Sequence, residues 1–431
     1  MREREVRRVA GLLAARLPEL DFEAVGDRRS RGGRWSLEQI LRATLLGLLA
    51  GCKSLREAEE LTDRLSPGAR RVVGLPRRLA DTTARDALCG VSLDGLRRAL
   101  HRLVGAAWKR KALRPVGLPL SVVALDGKAT AVPCLNGEFA QTQHPEQGLP
   151  YGIIRTVTCA LVSAPGRPCI DAIPIPAGTN EVGHFPVVFR SLVDNYDALF
   201  DVITYDAGGF SRANADVVVN AGKDYLFALK NEQRIMCRLA MEMLDSEPVV
   251  HHTEDVLDNV TTVVRSLRIL PADPSWSYGN GKGPEDSLWP HARTFLSVEY
   301  VKVQHGEVVE RDERIFVSSL DPKRLTPSQW LELVRSHWGV ENNNHHTLDT
   351  AFAEDKRPWI EADEHGMLAV LLLRRIAYTL LALFRSVTLR SDENRAMRWK
   401  MLLAWIRDAL VSATHAQLAG LRLREVPAAT R

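Results

Sequence analysis

The sequence predicts an α/β protein: a mixed-sheet core with a β-rich insertion, preceded by an all-α segment and followed by C-terminal helices. Three observations predict it. Residues 30–115 carry apolar positions at helical spacing throughout. From residue 120 to about 230, β-branched runs alternate with helical patterns, the signature of strands and helices in turn. From 232 to 320 that alternation fails, strand-like stretches follow one another, and helices return after 326.

Taken in order, residues 1–30 read as a short amphipathic helix followed by the polar break DRRSRGGRWS. A helix starts at Ser36, with Glu38 in its first turn, and ends at Gly51. SLREAEELTDRL (54–65) is a second, with Ser54 as N-cap and Glu57 three residues on completing a capping box. LADTTARDALCG and SLDGLRRALHRLVGAAWKRKAL continue as helices, and RPVGLP (114–119) is a linker. Strands are expected at 120–129, 151–164, 169–178, 199–209 and 223–230, with helices at 179–196 and 211–222 between them. Within the insertion, 258–270, 291–303 and 310–320 read as antiparallel strands, and one helix is expected through TPSQWLELVRSHWGVENNNHHTLDTAF. The expected divisions are a basic helical N-terminal domain (1–115), a first part of the core (116–232), the insertion (233–320), the end of the core (321–390), and a C-terminal helix and tail (391–431).

Composition narrows the class. With 431 residues, 45% hydrophobic and 26% charged, the chain has the makings of an ordinary globular protein of two or three domains. The six Cys show no CxxC pairing, which argues against a zinc ribbon or disulfide framework and fits a reducing cytosol. The N-terminus lacks the long apolar core of a signal peptide. The apolar stretch LAVLLLRRIAYTLLALF (368–384) is split by Arg374 and Arg375, so it reads as a buried helix rather than a membrane span. Residues 1–115 carry a net charge of +11 and the remainder −7, a balance that suits a polyanion-binding module beside a carboxylate-bearing one. Solvated arginine faces give the same balance, so both readings stand.

Three carboxylates stand out by placement. Asp126 and Asp206 each close an apolar strand just before a small residue, and strand C-terminal ends are where α/β sheets place ligands. A lone carboxylate at a buried strand tip calls for a compensating charge, which a divalent cation supplies; Asp-Gly as a simple turn is the alternative. Glu341 is the third, with His337 and His345 expected on its helical face. Those two His are eight positions apart, roughly 12 Å along a helix, too far to share one ion. His345 and His346 therefore read as packing or DNA-backbone contacts, and the run Asn342–Asn344 either serves a purpose or is merely solvated.

RSHWGVENNNHHTLDTAFAED resembles the third-carboxylate signature of the DDE transposases of bacterial insertion sequences, in the branch that includes the H-repeat-associated proteins. VVALDGKA resembles the first-carboxylate strand, GTNEV an SNE element, ITYDAGG the second-carboxylate strand, and DYLFALKNEQ a following strand motif; together the matches run in order over residues 35 to 385. The resemblance implies an RNase H-like core with Asp126, Asp206 and Glu341 as catalytic carboxylates and metal ligands. It implies two Mg²⁺ ions, with Mn²⁺ as a substitute: Asp126 bridging, Asp206 on one ion and Glu341 on the other. It also implies cleavage at element ends followed by strand transfer. The partners would be double-stranded DNA (terminal inverted repeats and target) and further copies of the chain, as a homodimer or larger synaptic complex in the bacterial cytoplasm, with no membrane. Lys128, Lys230, Arg335, His345 and Trp276 are candidate DNA contacts, with Trp289 and Trp338 as further rings for stacking on an extruded base. A nuclease of the same core that cuts without joining, and a domesticated DNA-binding descendant without transposition activity, are the other readings; the intact set of three acids speaks against the second.

Overall fold

The computed structural model describes residues 3–26, 34–133, 136–206, 211–229, 234–273, 289 and 291–414. Six helices open the chain: α1 (Glu3–Arg16), α2 (Leu37–Leu49), α3 (Leu55–Arg64), α4 (Pro67–Val73), α5 (Asp81–Cys89) and α6 (Leu93–Lys109). Serines start four of them. Ser36, Ser54, Ser66 and Ser92 each accept a backbone N–H of the first turn, satisfying a donor that no helical carbonyl can reach. The full capping box falls on Ser36 with Gln39. At Ser54 only half the expected box forms, because the Glu57 carboxylate takes the N–H of Lys53 instead.

Ten strands among the described residues form one sheet. They are β1 (Val122–Val132), β2 (Ala140–Gln143), β3 (Tyr151–Leu161), β4 (Cys169–Ile175), β5 (Val202–Tyr205), β6 (Asp224–Leu229), β7 (His251–Val256), β8 (Thr261–Pro271), β9 (Thr294–Gln304) and β10 (Glu307–Ser318). The core order is β4-β3-β1-β5-β6, with β3 antiparallel to both neighbours and β1, β5 and β6 mutually parallel. That is the strand order of an RNase H-like core, and the α/β class is as the sequence predicts. Helices α7 (Glu181–Tyr196) and α8 (Arg212–Asn220) supply the crossovers. The insertion does not form a separate layer: β10 pairs with β6, so the antiparallel run β10-β9-β8-β7 extends the same sheet. The sequence reading lacked two strands, β2 and β7, and helix α9 (Arg234–Asp245). The strands are short and polar, AQTQ and HHTEDV, and carry no apolar alternation to announce them.

After the insertion come α10 (Pro327–His337), α11 (His346–Thr350), α12 (Glu364–Leu383), α13 (Asp392–Arg395) and α14 (Trp399–Ser412). The long apolar helix is α12. Nearly all of it is buried, against α2, α5, α6 and β4, and each leucine so covered stabilises the fold by about 1.5–3 kcal/mol relative to exposure. One continuous apolar core therefore runs from α1 through α12 to one face of the sheet. A second cluster fills the other face, under α10.

An ion cluster ties the N-terminal helices to the sheet. Asp171 of β4 is fully buried and accepts from Arg97 of α6 through both oxygens, at 2.9 and 2.7 Å, with His101 at 3.1 Å and the Ser191 hydroxyl at 3.2 Å. Burial opposes the charge, but His101 and Arg97 outweigh it and hold the carboxyl well below the usual range. Replacing Asp171 with Asn leaves Arg97 facing an uncharged amide in a dry site. We expect a loss of about 3–5 kcal/mol in denaturant-unfolding stability.

Candidate active site

The pairing of β1 with β5 sets the site. The parallel register runs Val122↔Val202 to Leu125↔Tyr205. Asp126 is the next residue of β1 and Asp206 the residue that follows the end of β5, so the register brings them side by side at the carboxyl end of the pair. One expectation needs correcting. Asp126 does not close a strand, because β1 continues to Val132 on the β3 ladder, with Asp126↔Thr158 and Gly127↔Val157. What ends at Leu125 is the pairing with β5. Asp126-Gly127 is thus no turn, and its glycine has another cause, given below.

Glu341 sits on a wide turn, not on a regular α-helix. The single helix expected through this stretch is α10, then a π-helical turn Val340–His345, then α11. The wider turn changes the phase of side chains, so the expected common face of His337, Glu341 and His345 does not form. His337 is buried, its Nδ1 3.0 Å from the Thr204 hydroxyl of β5. His345 turns inward, its Nδ1 3.0 Å from Asp126 Oδ2. The asparagines hold the turn in place: Asn343 Oδ1 accepts from the Arg167 guanidinium at 2.6 Å, and the buried Asn344 amide donates to the Arg167 carbonyl at 3.0 Å. Partial desolvation, then Asp126 and Asp206, raise the proton affinity of Glu341, with His345 and Arg314 acting the other way. Glu341 therefore lies in the field of both aspartates.

Lys128 is not available to DNA. Its side chain is 8% exposed, and its ammonium lies among Asp349, Glu354 (3.2 Å) and Asp355 (3.1 Å). The oxygens of these three acids lie within 4.8 Å of one another, but the lysine already supplies their counter-charge. Glu354 also pairs with Arg375 of α12. Burial would raise the Glu354 carboxyl; Arg375 and Lys128 outweigh it and hold it at about 2. Arg335 points to the insertion, 3.2 Å from Asp255 of β7, and not to Glu341. It lines a 450 Å³ cavity with Arg167, Arg265, Arg314, Tyr300 and Trp338. Trp338 is partly buried, edge-on to Phe316 and under the Arg314 guanidinium, whereas Trp289 is buried and offers no stacking face. Lys230 and Trp276 lie outside the described residues.

One acid at the site was missed in the candidate residues. Glu181 is the first residue of α7, where Asn180 caps the helix by accepting the Gly183 N–H. Its carboxylate fills the space where Gly127 lacks a side chain: a Cβ there would lie 2.1 Å from Oε1. Tyr205, the residue before Asp206, donates its hydroxyl to Oε2 at 3.4 Å. Desolvation, then Asp126, raise the Glu181 carboxyl. GTNEV was the available signal, but nothing in its spacing says which strand the glutamate meets.

No family model matches the chain, and a search of curated proteins finds no match. Among solved structures, a cryo-EM structure of a piggyBac transposase synaptic complex with hairpin DNA is similar to it at 13% identity and a TM-score of 0.40, over 94% of this chain and 79% of that one.

The Glu354 cluster gives a prediction with a sign. Its folded-state carboxyl lies below the ordinary 4.5, so its stabilisation is present above pH 4.5 and is lost as the pH falls toward 2. Glu354→Gln takes the paired carboxylate from Arg375 and one of the three acids from Lys128. At pH 7 we expect a destabilisation of about 3–5 kcal/mol, shrinking as the pH is lowered through that window, as read by urea denaturation at each pH.

Proposed function

We propose that the chain is a DDE-type transposase, which cuts DNA at the ends of an insertion element and joins the freed end to target DNA. The observation that carries the reading is the β1–β5 register, which brings Asp126 and Asp206 side by side with Glu341 in the field of both. The donor set fits Mg²⁺: hard carboxylate oxygens, placed so that desolvation, then Asp126 and Asp206, raise the Glu341 carboxyl. The group whose oxygens already converge, Asp349 with Glu354 and Asp355, is the poorer candidate because Lys128 fills it.

Bound cations would supply activation of water and neutralisation of charge at the phosphate. The chain's own residues do the rest. Asp126, beside Asp206 in register and touched by His345, would serve both cations, with Asp206 holding one and Glu341 the other. His345 fixes one oxygen of Asp126 and so orients it rather than gripping DNA. Asn343 and Asn344 hold the turn that carries Glu341. The basic N-terminal segment is suited to the phosphate backbone, and synapsis of two ends calls for more than one copy of the chain.

The test is Mg²⁺-dependent nicking of a duplex carrying the element's own ends, wild type beside Glu341→Gln. We expect nicking at the boundary and a loss on the order of a thousandfold in the variant, the several kcal/mol that a metal contributes to a transition state. End binding without cleavage by wild type would favour a domesticated DNA-binding protein. Cleavage indifferent to the end sequence would favour a nuclease, and cleavage surviving in Glu341→Gln would remove Glu341 from the site.

A further inference from the structure

Two glutamates in this fold occupy the same kind of place, and they differ in what satisfies them. Each is the first residue of a helix, and each puts its carboxylate where a glycine of the sheet region has no side chain. Glu364 opens α12 and sits against Gly137, with its oxygens 2.4 and 2.5 Å from where a Cβ would be. It accepts three backbone N–H groups, from Glu138, Phe139 and Ala140, at 2.8, 3.0 and 3.0 Å. Its charge is met by the protein, and its task is to pin β2.

Glu181 opens α7 and sits against Gly127 in the same way. Its one hydrogen bond among the described residues is the long one from Tyr205, at 3.4 Å. Among the described residues no backbone N–H meets it, and its charged surroundings are unfavourable: Asp126 and Asp206 repel it, with Arg155 acting the other way. A half-buried carboxylate so placed asks for a cation. Successive residues of β1 face opposite sides, so Asp126 points toward the His345 turn while Gly127 opens toward α7. The gap at Gly127 is what lets a carboxylate from the α7 side come up against the strand that bears Asp126.

We propose that Glu181 is a fourth carboxylate of the cation site, contributing its charge to the binding of the second divalent ion. Four carboxylates balance two divalent cations, where three leave a net positive charge. The inference rests on the reading of Asp126, Asp206 and Glu341 as that site. It also assigns a reason to Gly127: any side chain there would displace the Glu181 carboxylate.

The experiment is Mn²⁺ binding to the full-length protein without DNA, by electron paramagnetic resonance of free Mn²⁺, with melting temperature recorded with and without the ion. Variants are Glu181→Gln, Gly127→Ala, Glu341→Gln and, as the structural counterpart, Glu364→Gln. Wild type should bind two ions. Glu181→Gln and Gly127→Ala should each weaken binding about tenfold or more, and Glu181→Gln should raise the melting temperature in metal-free buffer while gaining less from Mn²⁺. Glu364→Gln should melt lower with its Mn²⁺ binding unchanged. Wild-type binding in Glu181→Gln and Gly127→Ala, with binding lost in Glu341→Gln, would overturn the role of Glu181 and leave the three-carboxylate site standing. No Mn²⁺ binding by folded wild type would overturn both.

Discussion

Everything at the candidate site hangs on β1, and on its being paired on both sides to different lengths. Its parallel ladder with β5 stops at Leu125, while its antiparallel ladder with β3 runs on to Val132. Up to Leu125 the strand is an ordinary core strand, with Val123 and Leu125 in one apolar cluster and Val122 and Ala124 in the other. Beyond that point the same period of two delivers chemistry. Asp126 and Lys128 face the α10–α11 segment, and Gly127 opens to α7. Because β3 still holds the backbone, Asp126 is fixed on a rigid strand although its β5 neighbour has ended.

The segment opposite is fastened to β1 at two points, the last residue of its wide turn and the acids of α11 and beyond. His345 meets Asp126, and Asp349 and the acids after it close on Lys128. Arg375 of α12 completes the second cluster, so a helix buried along nearly its whole length braces the segment that follows the turn and α11. A buried ion network of this kind contributes little net stability over an apolar core. Its value here is geometric, since each member must find all its partners before the cluster is satisfied, which fixes the spacing of β1, α11 and α12.

The two arginines of α12 carry a sequence expectation further than it was first taken. Arg374 and Arg375 lead LAVLLLRRIAYTLLALF to be read as a buried helix; the helix is long and apolar enough to cross a membrane, and in this fold it is buried. Arg375 is also the partner of Glu354, and Arg374 donates to the Arg357 carbonyl and covers Trp359. Neither partner was legible, because both are fixed by long-range packing rather than by spacing along the chain.

What the sequence determined by itself was the kind of most elements, though not β2, β7, α9 or the wide turn that carries Glu341. Apolar periodicity, serine caps and β-branched runs act over a few residues, so α2, α3, β3 and β5 fell where the pattern put them. The tertiary structure decided everything that depends on which strand lies beside which. Pairing with β3 carried β1 past Asp126, the wide turn moved His345 from a DNA-facing position to the side of Asp126, and the packing of α11 turned Lys128 from a phosphate ligand into a buried counter-ion. Glu181 shows the difference most plainly: its cap and helix were readable in GTNEV, but its meeting with Gly127 required the fold to bring the start of α7 to one point on β1.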